Sequence, residues 1–214
     1  LKVLNVRHWT SSTFSFSCIR PDNFRFRSGE FVMIGLNIGD KPVLRAYSIA
    51  SPNWHEEFEF YSIKVQDGPL TSKLQQLKEG DKIIFRNKPV GTLVNDAILK
   101  GKRLFLFSTG TGIAPFTSII RDPETYEKFD EVILFQTCRK INELKFGKHT
   151  IDAIYKNDLL SGIVRDKLKF FPTTTREPSQ YFGRITDWLK SKRFVEEFGS
   201  DLNLSEDRAM ICGS

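Results

Sequence analysis

The chain is poor in the residues that build metal centres and cross-links, with 3 cysteines, 3 histidines and 2 methionines among its 214 residues. Cys18, Cys138 and Cys212 are far apart and odd in number, with no C-x-x-C pair, so neither a disulfide framework nor a zinc site is indicated, and free thiols are expected. His8, His55 and His149 stand alone and read as surface or packing residues. No apolar run approaches the roughly 20 residues that span a bilayer, and the N-terminus lacks the basic, apolar, small order of a signal peptide. The cytoplasm is therefore the expected compartment. No Ser/His/Asp or paired-carboxylate constellation offers a general base or a covalent nucleophile.

What is present is an ordinary globular composition with an aromatic-rich interior: 40% hydrophobic, 27% charged, with 19 phenylalanines. The formal net charge of +6 favours anionic partners such as nucleotides or acidic proteins. Nucleic acid is disfavoured, because the basic residues are scattered among acids without a dense stripe or binding motif. No internal repeat or low-complexity tract is visible.

Two rhythms divide the chain. Up to about Pro89, short strand-like runs follow one another closely: Val3 to His8, Thr13 to Cys18, Phe31 to Leu36, Val43 to Ala50, Glu57 to Val65 and Lys82 to Arg86. This spacing predicts an antiparallel sandwich or barrel, broken only by a short helix over Leu70 to Leu77. The apolar phase shifts across Tyr61-Ser62, which predicts a bulge or a switch of face. Beyond the Lys88 to Thr92 turn region, strands and helices alternate, with strands at Arg103 to Phe107, Val132 to Thr137, Leu168 to Phe171 and Arg208 to Cys212. Helices are expected over Ala114 to Arg121, Ile151 to Leu160 and Ile185 to Lys190. Such alternation implies a parallel sheet with covering helices. The predicted division is 1–97 for the barrel and 98–214 for the α/β domain.

One segment carries chemistry on its face. Ser108-Thr109-Gly110-Thr111-Gly112-Ile113-Ala114-Pro115-Phe116 follows an apolar run and reads as strand, glycine turn and helix start, an arrangement that aims backbone N–H groups at an anion. It is not the G-x-G-x-x-G fingerprint, since proline stands near the third glycine position and no acidic ribose-binding residue follows. Ser108 to Gly112, Cys138-Arg139, Thr173 to Arg176 and Cys212-Gly213 all fall at the carboxyl ends of predicted strands. A parallel sheet binds its ligands there.

Arg45-Ala46-Tyr47-Ser48, Tyr61-Ser62-Ile63-Lys64-Val65, Gly68-Pro69-Leu70-Thr71-Ser72, the glycine turn, Pro172-Thr173-Thr174-Thr175-Arg176-Glu177-Pro178, Gly183-Arg184-Ile185 and the terminal Met210-Ile211-Cys212-Gly213-Ser214 occur in an order that resembles the ferredoxin-NADP reductase family, in its bacterial branch. The resemblance covers almost the whole chain. It implies an antiparallel Greek-key FAD-binding barrel followed by a parallel-sheet NADP-binding domain, which agrees with the two rhythms.

For FAD, the resemblance implies Arg45 on the pyrophosphate, Ala46 beside it, Tyr47 against the isoalloxazine and Ser48 near flavin N5. Ile63, Lys64 and Val65 would border the adenosine side, although burial of Ile63 and Val65 would need no ligand. Amides of Gly68, Pro69, Leu70, Thr71 and Ser72 would face the pyrophosphate, with Thr111 adjoining. For NADP it implies Thr109, Gly110, Thr111 and Gly112 at the turn, Thr175 and Arg176 at the 2′-phosphate, Arg139 and Arg184 as further cations, and Cys212 and Gly213 near the nicotinamide. Tyr47, Ser48 and Cys212 are then the residues at the reacting atoms; Cys18 and Cys138 are assigned to packing.

The implied activity is electron exchange between NADPH and ferredoxin or flavodoxin through FAD, in a monomer. The family continues past Cys-Gly-Ser with a helix, a strand and an aromatic tail over the flavin, so the chain reads as truncated after Ser214, and a leaky nicotinamide gate is expected. Three alternatives remain: an NADH-dependent reductase component of an oxygenase, a non-catalytic FAD electron-transfer subunit, and a basic nucleotide-binding protein without redox chemistry.

Overall fold

The computed structural model describes residues 1–214. Six short strands open the chain: β1 (Val3–His8), β2 (Thr13–Ile19), β3 (Phe31–Ile38), β4 (Lys41–Ser48), β5 (Glu57–Ile63) and β6 (Ile84–Phe85), with the one-turn helix α1 (Thr71–Leu74) between the last two. They form two three-stranded antiparallel sheets, ordered β1-β2-β5 and β4-β3-β6. The Lys2–Lys82 bridge joins the sheets on one side, and the bond from Ala50 N to the Glu59 carbonyl ties them on the other. The result is a six-stranded barrel in which period-2 alternation sends Phe14, Phe16, Phe58, Phe60, Val32 and Ile34 inward, all nearly or fully buried.

The shift of phase at Tyr61 has a specific cause. The β5 register against β2 runs without interruption from Ile19–Glu57 to Thr13–Ile63, so no bulge is present there, and the irregularity lies instead in β1, between Val3 and Asn5. Tyr61 faces out of the barrel and is buried because its ring stacks on Phe146 at a centroid distance of 4.0 Å and an interplanar angle of 5°. A residue that alternation assigns to solvent is covered by the second half of the chain.

The second half contains β7 (Arg103–Thr109), α2 (Ile113–Ile119), α3 (Pro123–Lys128), β8 (Glu131–Cys138), α4 (Lys145–Tyr155), α5 (Ser161–Val164), β9 (Leu168–Thr174), β10 (Tyr181–Phe182), α6 (Ile185–Leu189), α7 (Lys192–Phe198) and β11 (Asp207–Cys212). The five strands are parallel and ordered β10-β9-β8-β7-β11. One face, including Leu104, Leu106, Val132, Leu134 and Met210, packs on α2 to α5; the other, including Phe105, Phe107, Phe135 and Phe171, packs on α6 and α7. The chain leaves β7 in one direction through β8, β9 and β10 and returns on the other side as β11. Strand order therefore reverses between β7 and β11, at a topological switch point.

The long helix differs from expectation: α4 begins at Lys145, not Ile151, and ends before Leu160. Its buried positions Phe146, Thr150, Ile151 and Ile154 follow helical spacing, and the Asn157 side chain then accepts the Leu159 and Leu160 amides, closing one helix and opening the next. Helix α3 has a legible start that periodicity passes over, with Asp122 capping the Glu124 amide and Pro123 in the first turn.

The barrel and sheet meet across a polar and aromatic seam. From α2, Thr117 Oγ1 donates to the Ala50 carbonyl and Ser118 Oγ to that of Ser51, while Arg121 pairs with Glu59 at 2.9 Å. Beside the Tyr61–Phe146 stack, Trp9 lies edge-on to Phe146, Arg7 covers Trp9 at 3.9 Å, and Arg7 Nη1 contacts His149 Nε2 at 3.2 Å. Partial burial, reinforced by the Arg7 charge, holds the His149 imidazole below its ordinary value of 6.5. A lowered folded-state value means the neutral form is favoured, so its contribution is present above that ordinary value and is lost as pH falls through the folded one. Thermal unfolding between pH 8 and pH 5 will show a loss of stability in acid that His149→Asn reduces; identical pH profiles would remove this seam from the account.

Candidate nucleotide and flavin site

The switch point is built by two glycines that approach each other's strands. Strand β7 ends in a 3-10 turn, Gly110–Gly112, with Gly110 at φ +54, and α2 follows at once. A Cβ on Gly112 would stand 2.3 Å from the Cys212 carbonyl oxygen and 2.7 Å from the Gly213 nitrogen. Gly213, at φ +137, would likewise place a Cβ 2.1 Å from Thr109 Oγ1. Thr109 Oγ1 meets Ser214 through its amide at 2.9 Å and its carbonyl at 3.0 Å. The carboxyl end of β11 thus rests directly on the turn, and only glycine allows this backbone contact.

Cys212 is half-buried at the end of β11, opposite Ser108 in register. Burial raises its thiol value, although the Gly213 amide opposes the shift, so the side chain is a neutral thiol at physiological pH. Cys138, buried at the end of β8, is pushed up to about 12 by burial and by Glu143, and Cys18 in the barrel to about 12, chiefly by burial. Both are packing residues.

Three exposed arginines converge at the carboxyl ends of adjacent strands: Arg139 after β8, Arg176 after β9 and Arg184 after β10. The Thr175 amide donates to the Cys138 carbonyl and the Arg176 amide to that of Arg139, each at 3.0 Å, which sets the first two arginines side by side. The Gly183 amide donates to the Thr174 carbonyl at 2.9 Å and brings Arg184 to the same edge. The five ion pairs of the molecule include none of the three. Unpaired guanidiniums grouped in this way are suited to a dianion with planar oxygen geometry.

The barrel presents a second set. Arg45 and Ala46 are exposed on β4, and Arg45 reaches only the Leu44 carbonyl. Tyr47 is half-buried, edge-on to Phe60, with its hydroxyl 3.2 Å from Ser62 Oγ; burial raises its phenol value, so it stays protonated. Ser48 follows at the end of β4 and is also half-buried. Two residues on, the Ala50 carbonyl accepts from α2, and β5 lies against the Gly110–Gly112 turn. The Arg45–Ser48 strand end and the glycine turn are therefore held together through the seam.

Ile63 and Val65 are not core residues: each is 46% exposed, so the expectation that burial alone explains them is corrected. They flank the turn before α1, where Gly68 is held by its amide bond to the Val65 carbonyl, Pro69 is exposed, and the Ser72 amide is bonded to the Gly68 carbonyl. The amides of Leu70 and Thr71 have no partner. Lys64 turns its ammonium to the Thr10 carbonyl at 2.9 Å. A half-exposed apolar pair, free amides and an unpaired arginine on one side of a barrel fit a ligand with a flat apolar portion and a pyrophosphate. Thr111, in the turn, is half-buried beside β5.

A barrel joined to a parallel sheet by a switch-point crevice, with separate cationic positions on each half, defines a flavin- and dinucleotide-using oxidoreductase. Residues 5–94 match the family described as the oxidoreductase FAD-binding domain. The chain is 58% identical over 214 residues to the flavodoxin/ferredoxin–NADP reductase of Rhodobacter capsulatus, covering 99% of this chain and 79% of that protein. It is 49% identical to the ferredoxin–NADP reductase of Azotobacter vinelandii, covering 100% and 83%. Among solved structures, a ferredoxin NADP+ reductase from Neisseria gonorrhoeae with bound FAD and NADP superposes with a TM-score of 0.88 at 31% identity, covering 100% of this chain and 84% of that one. The chain belongs to the ferredoxin/flavodoxin–NADP reductase family.

No group of three or more His, Cys, Asp or Glu side chains is placed to hold a metal ion, and no helix is long and apolar enough to cross a membrane.

Proposed function

We infer that this chain is an FAD-dependent oxidoreductase exchanging electrons between NADPH and ferredoxin or flavodoxin. The observation that carries the inference is the set of three unpaired arginines, Arg139, Arg176 and Arg184, on adjacent strand ends of a switch-point sheet whose glycine turn is fastened to a flavin-type barrel. Residues 1–97 are read as the FAD-binding domain and 98–214 as the NADP-binding domain, working in the cytoplasm.

Bound FAD supplies the conversion between a hydride from nicotinamide and single electrons for the carrier. The chain supplies position and environment. Arg45 and the free amides of Leu70 and Thr71 would hold the pyrophosphate, with Ile63 and Val65 covering apolar surface beside it. Tyr47, fixed by Ser62 and Phe60, offers a neutral aromatic surface, and the Ser48 hydroxyl offers a hydrogen bond near the reacting flavin atom. The turn Thr109–Gly112 would take the NADP pyrophosphate, and Thr175 with Arg176, Arg139 and Arg184 the 2′-phosphate. Cys212 ends β11 against the turn, Gly213 follows it, and both would present small groups to the nicotinamide. No proton donor is required for the hydride step, consistent with neutral Tyr47 and Cys212. The net charge of +6 suits an acidic carrier.

The test is anaerobic stopped-flow absorbance of the FAD-loaded protein mixed with NADPH or with NADH. Rapid bleaching by NADPH and slow bleaching by NADH is expected. Equal rates would indicate an NADH-type reductase component, and bound flavin that neither nucleotide reduces would indicate a carrier subunit. Arg176→Ala will narrow the NADPH-over-NADH preference by about ten- to hundredfold, the range of a lost charge-assisted contact.

A further inference from the structure

Two carboxylates stand within the arginine-bearing loops, and each is occupied by backbone. Glu143 Oε2 accepts the amides of Arg139 at 2.9 Å and Lys140 at 3.0 Å. Glu177 Oε2 accepts the Ile141 amide at 2.8 Å, reaching across from the loop after β9 to the loop after β8. Thr174 Oγ1 donates to the Glu177 carbonyl and contacts Ser179 Oγ at 2.7 Å, which fixes the start of the same loop. An acid next to an arginine in sequence, as Glu177 is to Arg176, would ordinarily be free to pair with it and neutralise the site. Here it does not: neither glutamate takes part in any ion pair.

We propose that Glu143 and Glu177 are positioning residues for NADPH selection, clasping the β8 and β9 loops through backbone amides so that Arg139 and Arg176 are held side by side with their guanidiniums unpaired. The proposal rests on the assignment of the 2′-phosphate to these arginines. Its physical basis is preorganisation. Two arginines on exposed loops, joined otherwise by the Thr175–Cys138 and Arg176–Arg139 backbone bonds, would still lose loop and side-chain freedom on binding a phosphate. Glu143 fixing its own loop and Glu177 tying one loop to the other beforehand removes part of that cost. The clasp acts on the backbone, so it depends on an oxygen acceptor at residue 177 and not on its negative charge. A carboxylate acting through charge would do the opposite, since it repels the phosphate.

These two roles separate on substitution. Glu177→Ala removes the acceptor and Glu177→Gln keeps it while removing the charge. Isothermal titration of the FAD-loaded protein with 2′-phospho-AMP and with AMP, together with KM and kcat for NADPH and NADH, reads the difference. Glu177→Ala is expected to weaken 2′-phospho-AMP binding and raise the NADPH KM relative to the NADH KM by about five- to tenfold, with kcat at saturation retained. Glu177→Gln is expected to restore both toward the wild-type values. Tighter 2′-phospho-AMP binding by both Glu177→Ala and Glu177→Gln than by the wild type would show that the charge matters and the clasp does not. An unchanged preference in Glu177→Ala would also overturn the proposal, as would an equal loss for both nucleotides. If Glu177→Ala does not fold, Glu143→Gln and Glu143→Ala give the same contrast on the β8 loop alone. A wild-type protein that binds 2′-phospho-AMP no better than AMP would instead overturn the assignment of the phosphate site itself.

Discussion

Replacing Gly112 with alanine will slow NADPH-driven flavin reduction about a hundredfold, the scale of loss when reacting groups are displaced by roughly 1 Å. The residue sits at φ −61, so the backbone itself tolerates any side chain, and alanine in a helical start would ordinarily gain about 1 kcal/mol over glycine. Sterics decide the outcome. The new methyl would stand 2.3 Å from the Cys212 carbonyl oxygen, 2.5 Å from its carbon and 2.7 Å from the Gly213 nitrogen, all of them backbone atoms at the end of a strand paired up to Cys212. Either the end of β11 or the turn must move, and both line the crevice. The clash is with the end of β11 and not with the barrel strands, although β5 adjoins the turn, and FAD is expected to remain bound. Stopped-flow bleaching with the flavin content measured in parallel checks this, and wild-type rates in a fully flavinylated Gly112→Ala protein would show that the β7–β11 contact does not shape the site.

The largest stability effect is expected from Asp207→Ala, which will destabilise the parallel-sheet half by about 3–5 kcal/mol by leaving a buried guanidinium without its partner. Arg103 opens β7 and Asp207 opens β11, and their side chains are both nearly buried, at 7% and 6% exposure. The pair is bidentate, with Nε at 2.8 Å and Nη2 at 2.5 Å from the two carboxylate oxygens. Remaining donors of Arg103 reach the Phe198 and Asp201 carbonyls, and Asp207 also accepts the Asn203 amide. Nε, Nη1 and Nη2 of Arg103 all have partners and both Asp207 oxygens accept, so removal of Asp207 exposes the desolvation cost of the guanidinium.

The pH dependence of the same pair has a definite sign. Burial alone would raise the Asp207 carboxyl, but the Arg103 guanidinium and the Asn203 amide outweigh it and hold it below its ordinary 3.8. A lowered folded-state value gives a contribution that is full above the ordinary value and is lost as pH falls through the folded one. Denaturant unfolding at neutral pH should therefore show the wild-type advantage over Asp207→Asn at its maximum, and the gap should close in acid below that value. A constant gap down to pH 2 would contradict the ion-pair account.

The order of antiparallel barrel then parallel sheet, and the strand–turn–helix form of the glycine segment, were legible in the sequence because both are local. Close strand spacing followed by strand–helix alternation reflects which faces each element must bury, and that pattern is written residue by residue. The glycines at 110 and 112 and the strand-end positions of Arg139 and Arg176 follow from the same local rules. Several element ends did not, and the reason differs in each case. Helix α4 starts six residues early because Phe146 has a partner, Tyr61, that only the folded molecule supplies. Tyr61 and Ser62 suggested a bulge or a switch of face; β5 stays in register, and Tyr61 on its outer face is buried by the sheet half.

By itself, then, the sequence determined the classes of element, their order, and the residue types available for phosphate and flat-ring recognition, since periodicity, glycine and charge are properties of short segments. Only the tertiary structure decided which of those groups meet. The reversal of strand order sets Gly112 against Cys212, the paired ends of β8 and β9 set Arg139 beside Arg176, and Glu143 and Glu177 leave those arginines unpaired by bonding backbone amides. Contacts between residues 36 or 100 positions apart depend on strand order and loop closure, and no local preference encodes them.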